Sequence, residues 1–193
     1  TTGPGSINPK TKKAYGSQFP KFSAKDVVTC HQKVLEHLEI DQVKAIFGGS
    51  FGGTQVLQWM AAFPDTVEKA VPMAASPSTP ALVLAFNSIV KRILNDDPKF
   101  NKGDYYEKGQ PVDTIALSRL ALELQFVSPL ELQKTYGRRK IDEEFEVSRK
   151  IWEKSLKFAK RFDANSFLLM LNAIDNFDLG QDDKNLKKAF EKG

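Results

Sequence analysis

One serine in this sequence stands where serines become nucleophiles. The string Gly48-Gly49-Ser50-Phe51-Gly52 fits the G-x-S-x-G pattern, between an apolar run at 43–47 and a stretch with helical spacing at Val56, Leu57, Met60 and Ala61. The chemistry asks for a sharp turn that holds the serine in a strained backbone conformation, with glycines at its flanks so that strand and helix can pass closely. Ser50 Oγ would then stand at the top of a sheet and at a helix N-terminus, where N–H groups and the helix dipole favour developing negative charge. The backbone N–H of Phe51 is the expected oxyanion-hole donor. Two rival readings of the glycines fail on spacing. A P-loop needs Lys after its last glycine, but Gly53 is followed by Thr54, and a dinucleotide fingerprint needs glycine where Ser50 stands.

A serine nucleophile needs a base, usually a histidine oriented by an acid. The chain has only His31 and His37, both before the serine, and they read as ordinary helix residues. In α/β-hydrolase topology the acid and the histidine follow the serine. The base is therefore expected beyond Gly193, and the chain is expected to be a middle piece of a longer protein. Four other features could carry chemistry or structure. Asp163 in "RFDAN" reads as a helix cap rather than a catalytic acid. Tyr105 and Tyr106 suit either a tunnel wall or internal packing. The carboxylates of "DEEFE", 142–146, read as a solvated helix start, and Arg119 is a lone charge between Leu117 and Leu120, compatible with a snorkelling surface arginine.

The elements that must position these residues follow the grammar of an α/β fold with a parallel sheet: a helix at 24–38 with Ser23 and Asp26 as its capping box, a buried strand at 43–47, the turn, a second helix, and a buried strand at 68–75. The helix at 24–38 is expected to bury Val27, Val34 and Leu38. From 77 to 179 no convincing strand is legible. Helical stretches are expected at 81–95, 113–124, 129–136, 145–161 and 164–176, forming a cap over the active edge of the sheet or an ordinary helical neighbour domain. The expected division is a partial core at 1–76, a helical lid at 77–179 and the start of a return to the core at 180–193.

Composition narrows the classes. A chain of 193 residues with 41% hydrophobic and 27% charged residues can bury one substantial core. Its formal charge of +4 is spread along the chain, and no basic stripe with stacking aromatics marks a nucleic-acid binder. No apolar run approaches the roughly 20 residues of a membrane span, so no membrane partner is expected and a cytoplasmic setting is the default. Cys30 is the only cysteine, which rules out an internal disulfide and a thiolate metal site, and no metal is expected.

Taken together, the motifs resemble the homoserine O-acetyltransferases of the α/β-hydrolase superfamily. The opening "TTGPGSINPKTKKAYGSQFP" is similar to that family's T-T-G-P-x-S-x-N-P-x-T-G-x-x-Y-G-x-x-F-P, and "GGSFGG" to its elbow. "AFN" at 85–87, "DPKFNKGDYY" at 97–106 and "KFAKRFDANSFLLMLNAIDNFDL" at 157–179 resemble three more of its segments. The resemblance implies an α/β-hydrolase core with a helical lid that commonly forms a dimer interface. It also implies no bound cofactor and a ping-pong acetyl transfer from acetyl-CoA to the hydroxyl of L-homoserine, a step of methionine biosynthesis. Ser50 would be the nucleophile. Arg119 resembles the lid arginine that holds the substrate carboxylate, a task suited to a forked guanidinium. The family's acid, histidine and second oxyanion loop are expected outside this chain.

Two departures stand out. Where the family usually reads M-x-G-H-I-T-Y after the arginine, this chain has "LALELQF" at 120–126, and E-S-Y-L-x-Y-Q-G is replaced by "SRKIWEKS" at 148–155. Open alternatives are a serine acyltransferase or a succinyl-CoA-using enzyme, an esterase of the same fold, and an inactive fragment or dimerisation module.

Overall fold

The computed structural model describes residues 2–182 and Phe190. The elements in chain order are α1 (Ala24–His37), β1 (Ile46–Gly49), α2 (Phe51–Ala62), β2 (Ala70–Met73), α3 (Ala81–Asp96), α4 (Val112–Glu123), α5 (Pro129–Thr135), β3 (Lys140–Ile141), β4 (Glu144–Phe145), α6 (Glu146–Ala159), α7 (Ala164–Asp175) and α8 (Leu179–Asp182). They fall into two compact units, one drawn from Thr1–Phe19 and Ala85–Leu168, the other from Pro20–Leu84 and Leu169–Gly193. These bounds differ from the expected division at 76 and 179. Most of the span expected to return to the core, residues 183–189 and 191–193, lies outside the described residues.

The unit holding Ser50 is built on one crossover. β1 and β2 pair in parallel with Ile46 opposite Ala70 and Gly49 opposite Met73, and α2 connects them. The start of α1 follows from its sequence: the Ser23 hydroxyl accepts from the Asp26 N–H while the Asp26 carboxylate accepts from the Ser23 N–H, which satisfies two donors a helix start otherwise leaves open. The face α1 buries is not the expected one. Ala24 and Val28 are buried and Leu35 packs beside Trp59, whereas Val34 is 54% and Leu38 57% exposed. The burying side is offset because Val28, Trp59 and Val67 form the local core, and burial of a side chain the size of valine contributes about 1.5–3 kcal/mol.

The strands also differ from expectation. β1 begins at Ile46, with Val43 making only an isolated bridge to Val67. Neither strand is buried: Phe47 is 76% exposed, Val71 50% and Met73 47%. The physical reason is coverage. Ile46 faces the Trp59 core while its neighbour Phe47 points the other way, and the described residues cover only the first of these two faces.

The helical unit contains a strand pair that the sequence reading missed. Lys140–Ile141 and Glu144–Phe145 form a two-residue antiparallel ladder turned at Asp142, whose φ is 56°. Asp142 and Glu143 therefore make a hairpin turn rather than a helix start, and α6 begins at Glu146. Two residues per strand is too short for an alternating pattern to register.

A polar hub organises this unit. The Tyr105 hydroxyl donates to Asp163 Oδ2 at 2.6 Å and accepts from the Asn165 N–H at 3.0 Å, while the Tyr106 hydroxyl donates to the same carboxylate oxygen at 2.9 Å. Asp163 Oδ1 accepts from the Ser166 N–H at 2.7 Å, so the cap assignment holds. The N-terminal loop joins here. A Cβ on Gly5 would meet Tyr106 at 3.3 Å, and one on Gly103, at φ 92°, would meet Asn165 Oδ1 at 2.6 Å and Ser17 at 2.9 Å. That packing explains why Thr1–Phe19 clusters with the helices and not with the sheet.

Burial, above all, pushes the Tyr106 hydroxyl from its ordinary 10.0 up to about 12, and burial with the adjacent Asp163 raises Tyr105 as well. The folded state thus holds a proton that the unfolded chain releases near 10. Stability from this source is complete below that pH and is lost as pH rises from about 10 to about 12. Base titration followed by near-UV circular dichroism should show the loss, and Tyr106→Phe should flatten it; an unchanged alkaline midpoint in the variant would contradict the assignment.

Candidate active site

Ser50 occupies the N-cap position of α2 with φ 55° and ψ −122°, a backbone conformation unusual for a residue with a side chain. N-cap serines ordinarily direct the hydroxyl at the helix N–H groups, but the Ser50 side chain makes no cap hydrogen bond. The turn is pinned by the backbone instead: the Ser50 N–H donates to the Met73 carbonyl at 2.9 Å, and the Ser50 carbonyl accepts from the Thr54 N–H at 3.0 Å. The result is an exposed hydroxyl on a conformation that costs about 1–3 kcal/mol and is held by its surroundings. Phe51 follows in the first turn of α2, where a backbone N–H has no intrahelical acceptor. Ser50 and Phe51, neighbours in sequence, thus stand at the corner where β1 gives way to α2.

The glycine requirement is placed differently from expectation. A Cβ on Gly48 would lie 2.5 Å from the Gly52 backbone, and one on Gly53 would lie 2.7 Å from the Met73 carbonyl and 2.8 Å from the Ala75 Cβ. A Cβ on Gly52 would meet nothing within 4 Å. Close passage of strand and helix therefore rests on Gly48 and Gly53, and Gly52 serves by its backbone alone.

Ser50, Phe51 and Thr54 line a recess of about 90 Å³ with Ala74, Thr79 and Val83. Ala74, at φ 48°, is a second non-glycine residue at positive φ in this wall. No sequence signal marks it, since alanine is not a usual choice for a left-handed conformation. Further along, the Thr79 N–H donates to the Phe177 carbonyl and the Leu179 N–H to the Pro77 carbonyl, tying the segment after Ser76 to the end of α7.

His31 lies against Trp59, ring centroids 6.5 Å apart in a stacked arrangement, and His37 sits in the last turn of α1. Both behave as helix residues.

Arg119 lies on α4 in the helical unit. Its side chain is 28% exposed, with the guanidinium carbon 5.1 Å from the Phe158 ring centroid and 5.9 Å from that of Phe126. Arg119 Nη2 donates to Glu123 Oε2 at 2.6 Å, one helical turn on. Glu123, only 4% exposed, also accepts from Lys154 of α6 through Oε1. Burial pulls the Glu123 carboxyl upward, but the Lys154 ammonium and the Arg119 guanidinium outweigh it and hold the group below the usual carboxylate range. The i,i+4 spacing of Arg119 and Glu123 is readable in sequence. Lys154, 31 residues further on, is not.

A family profile described as the alpha/beta hydrolase fold matches residues 3–181. The homoserine O-acetyltransferase of Haemophilus influenzae is 40% identical over 198 residues, a match that takes in 100% of this chain and 55% of that protein. Among solved structures, homoserine O-acetyltransferase from Bacillus anthracis superposes with a TM-score of 0.90 at 25% identity, over 98% of this chain and 53% of that one. Esterase E22 does so with a TM-score of 0.84 at 26% identity, over 98% and 54%. This chain thus spans 38% to 55% of the length of such curated relatives.

Proposed function

Because this chain belongs to the alpha/beta hydrolase fold family, we propose that it is the nucleophile-bearing part of an acyltransferase moving acetyl from acetyl-CoA to L-homoserine. The observation that carries this is the backbone of Ser50: a strained N-cap residue whose hydroxyl does not cap its helix. In the proposed sequence Ser50 Oγ attacks the thioester carbonyl, the Phe51 N–H helps stabilise the oxyanion, and the CoA thiol departs with the proton that a base took from the serine. The acceptor hydroxyl then attacks the acyl-serine and regenerates Ser50. That base and its orienting acid are assigned to the portion of the relatives' length that this chain does not span.

Two features support the substrate assignment. Relatives named homoserine O-acetyltransferase match along the whole chain. Arg119 offers a planar fork for the acceptor carboxylate, set against two phenyl rings. A homodimer through the helical unit belongs to the same reading, supported by Leu117, Leu124, Phe126 and Leu130, which are 47% to 66% exposed.

Incubating the full-length protein with acetyl-CoA and homoserine should release CoA and yield O-acetylhomoserine in equal amounts, measured by thiol titration and mass spectrometry. CoA release without that product would replace the transferase with an esterase, the reading favoured by the likeness to esterase E22.

A further inference from the structure

The two segments in which the sequence departs from the homoserine O-acetyltransferase motifs meet in one place. Glu123 lies in "LALELQF" and Lys154 in "SRKIWEKS", and the structure joins them through Glu123 Oε1. The same carboxylate holds Arg119 Nη2 at 2.6 Å through its other oxygen.

From this geometry we infer that Glu123 is a positioning residue for the acceptor: it fixes the Arg119 guanidinium, with Lys154 fixing Glu123 in turn. This rests on the reading of Arg119 as the carboxylate-binding residue. An arginine side chain has several rotatable bonds, and one that must meet a carboxylate with two parallel hydrogen bonds gains from having its plane set beforehand. The Phe158 and Phe126 rings flank the guanidinium carbon at 5.1 and 5.9 Å, and Glu123 restrains the side chain by engaging one terminal nitrogen. Among the described residues only Glu123 bonds to the fork, so its other donors are left to a ligand. Charge explains the need for Lys154. Arg119 and Glu123 alone would cancel, whereas the three groups together carry one net positive charge, which keeps the site attractive to an anion. A buried carboxylate without such partners would be costly.

Positioning and simple charge predict opposite signs, which makes the inference testable. In the full-length protein, Glu123→Gln removes a negative charge from beside Arg119; if charge alone mattered, the acceptor KM would fall. If Glu123 positions Arg119, the acceptor KM rises by about tenfold, the size expected from spoiling one charge-assisted contact, while CoA release in the absence of acceptor changes less than twofold. Glu123→Asp keeps the charge but withdraws it by one methylene, so its acceptor KM should rise as well. That variant decides the matter if Glu123→Gln does not fold. An unchanged or lowered acceptor KM in either folded variant overturns the inference. Arg119→Lys separates it from the reading beneath it. If Arg119→Lys leaves the acceptor KM unchanged, the carboxylate assignment is wrong; if only the Glu123 variants leave it unchanged, the positioning role alone is wrong.

Discussion

Replacing Ser50 by alanine in the full-length protein lowers acyl-transfer kcat by on the order of 10⁴-fold or more. The thermal midpoint hardly moves. Ser50 is exposed and its hydroxyl caps nothing, so its removal costs no internal contact. Ser50→Gly is the sharper experiment. Glycine enters the region around φ 55° without a side-chain clash, which releases a strain of about 1–3 kcal/mol against an entropic cost near 0.5–1 kcal/mol. The glycine variant should therefore be equally inactive yet more stable than the wild type by about 1 kcal/mol. A folded enzyme that became inactive with no gain in stability would show that the backbone at Ser50 is not strained. Retention of more than a tenth of the activity in Ser50→Ala would remove the serine from the mechanism. Intact-mass spectrometry after mixing with acetyl-CoA gives an independent check: one added acetyl group in the wild type and none in either variant.

The second large effect is steric. Gly48→Ala places a methyl group 2.5 Å from both the carbonyl carbon and oxygen of Gly52, which are backbone atoms that cannot rotate away. Gly53→Ala does the same against the Met73 carbonyl at 2.7 Å, the acceptor that pins the Ser50 N–H. Either change should destabilise by roughly 3 kcal/mol and lower the thermal midpoint by roughly 5–10 °C. Gly52→Ala meets open space in the first turn of a helix, so it should be neutral or slightly stabilising. Differential scanning calorimetry of the three variants ranks them. Equal losses at Gly48 and Gly52 would mean that the motif glycines matter for some reason other than close passage.

What could be read from the sequence was what short spacings encode. The capping box of Ser23 and Asp26 lies within three residues, and the elbow within five, so both were legible. The helices expected between 81 and 176 were legible to within two residues at each end. Burial was legible less often. The apolar character of Phe47 and Val71 says that a face wants cover, but not whether these residues supply it, and here they are exposed. Contacts between distant positions were not legible at all. Tyr105 reaches Asp163 across 58 residues, which settles in favour of packing a choice that the sequence left open. Glu123 reaches Lys154 across 31, and nothing in either segment announces the pairing.

Everything that shapes the turn at Ser50 comes from one uninterrupted stretch of chain: Gly48 behind it, Gly53 after it, and the Met73 carbonyl and Ala75 on the neighbouring strand's end. Arg119 and its partners Glu123 and Lys154 belong to a different compact unit with its own supports. On the proposed reading, a substitution among the arginine's neighbours therefore leaves in place every contact that pins the turn at Ser50.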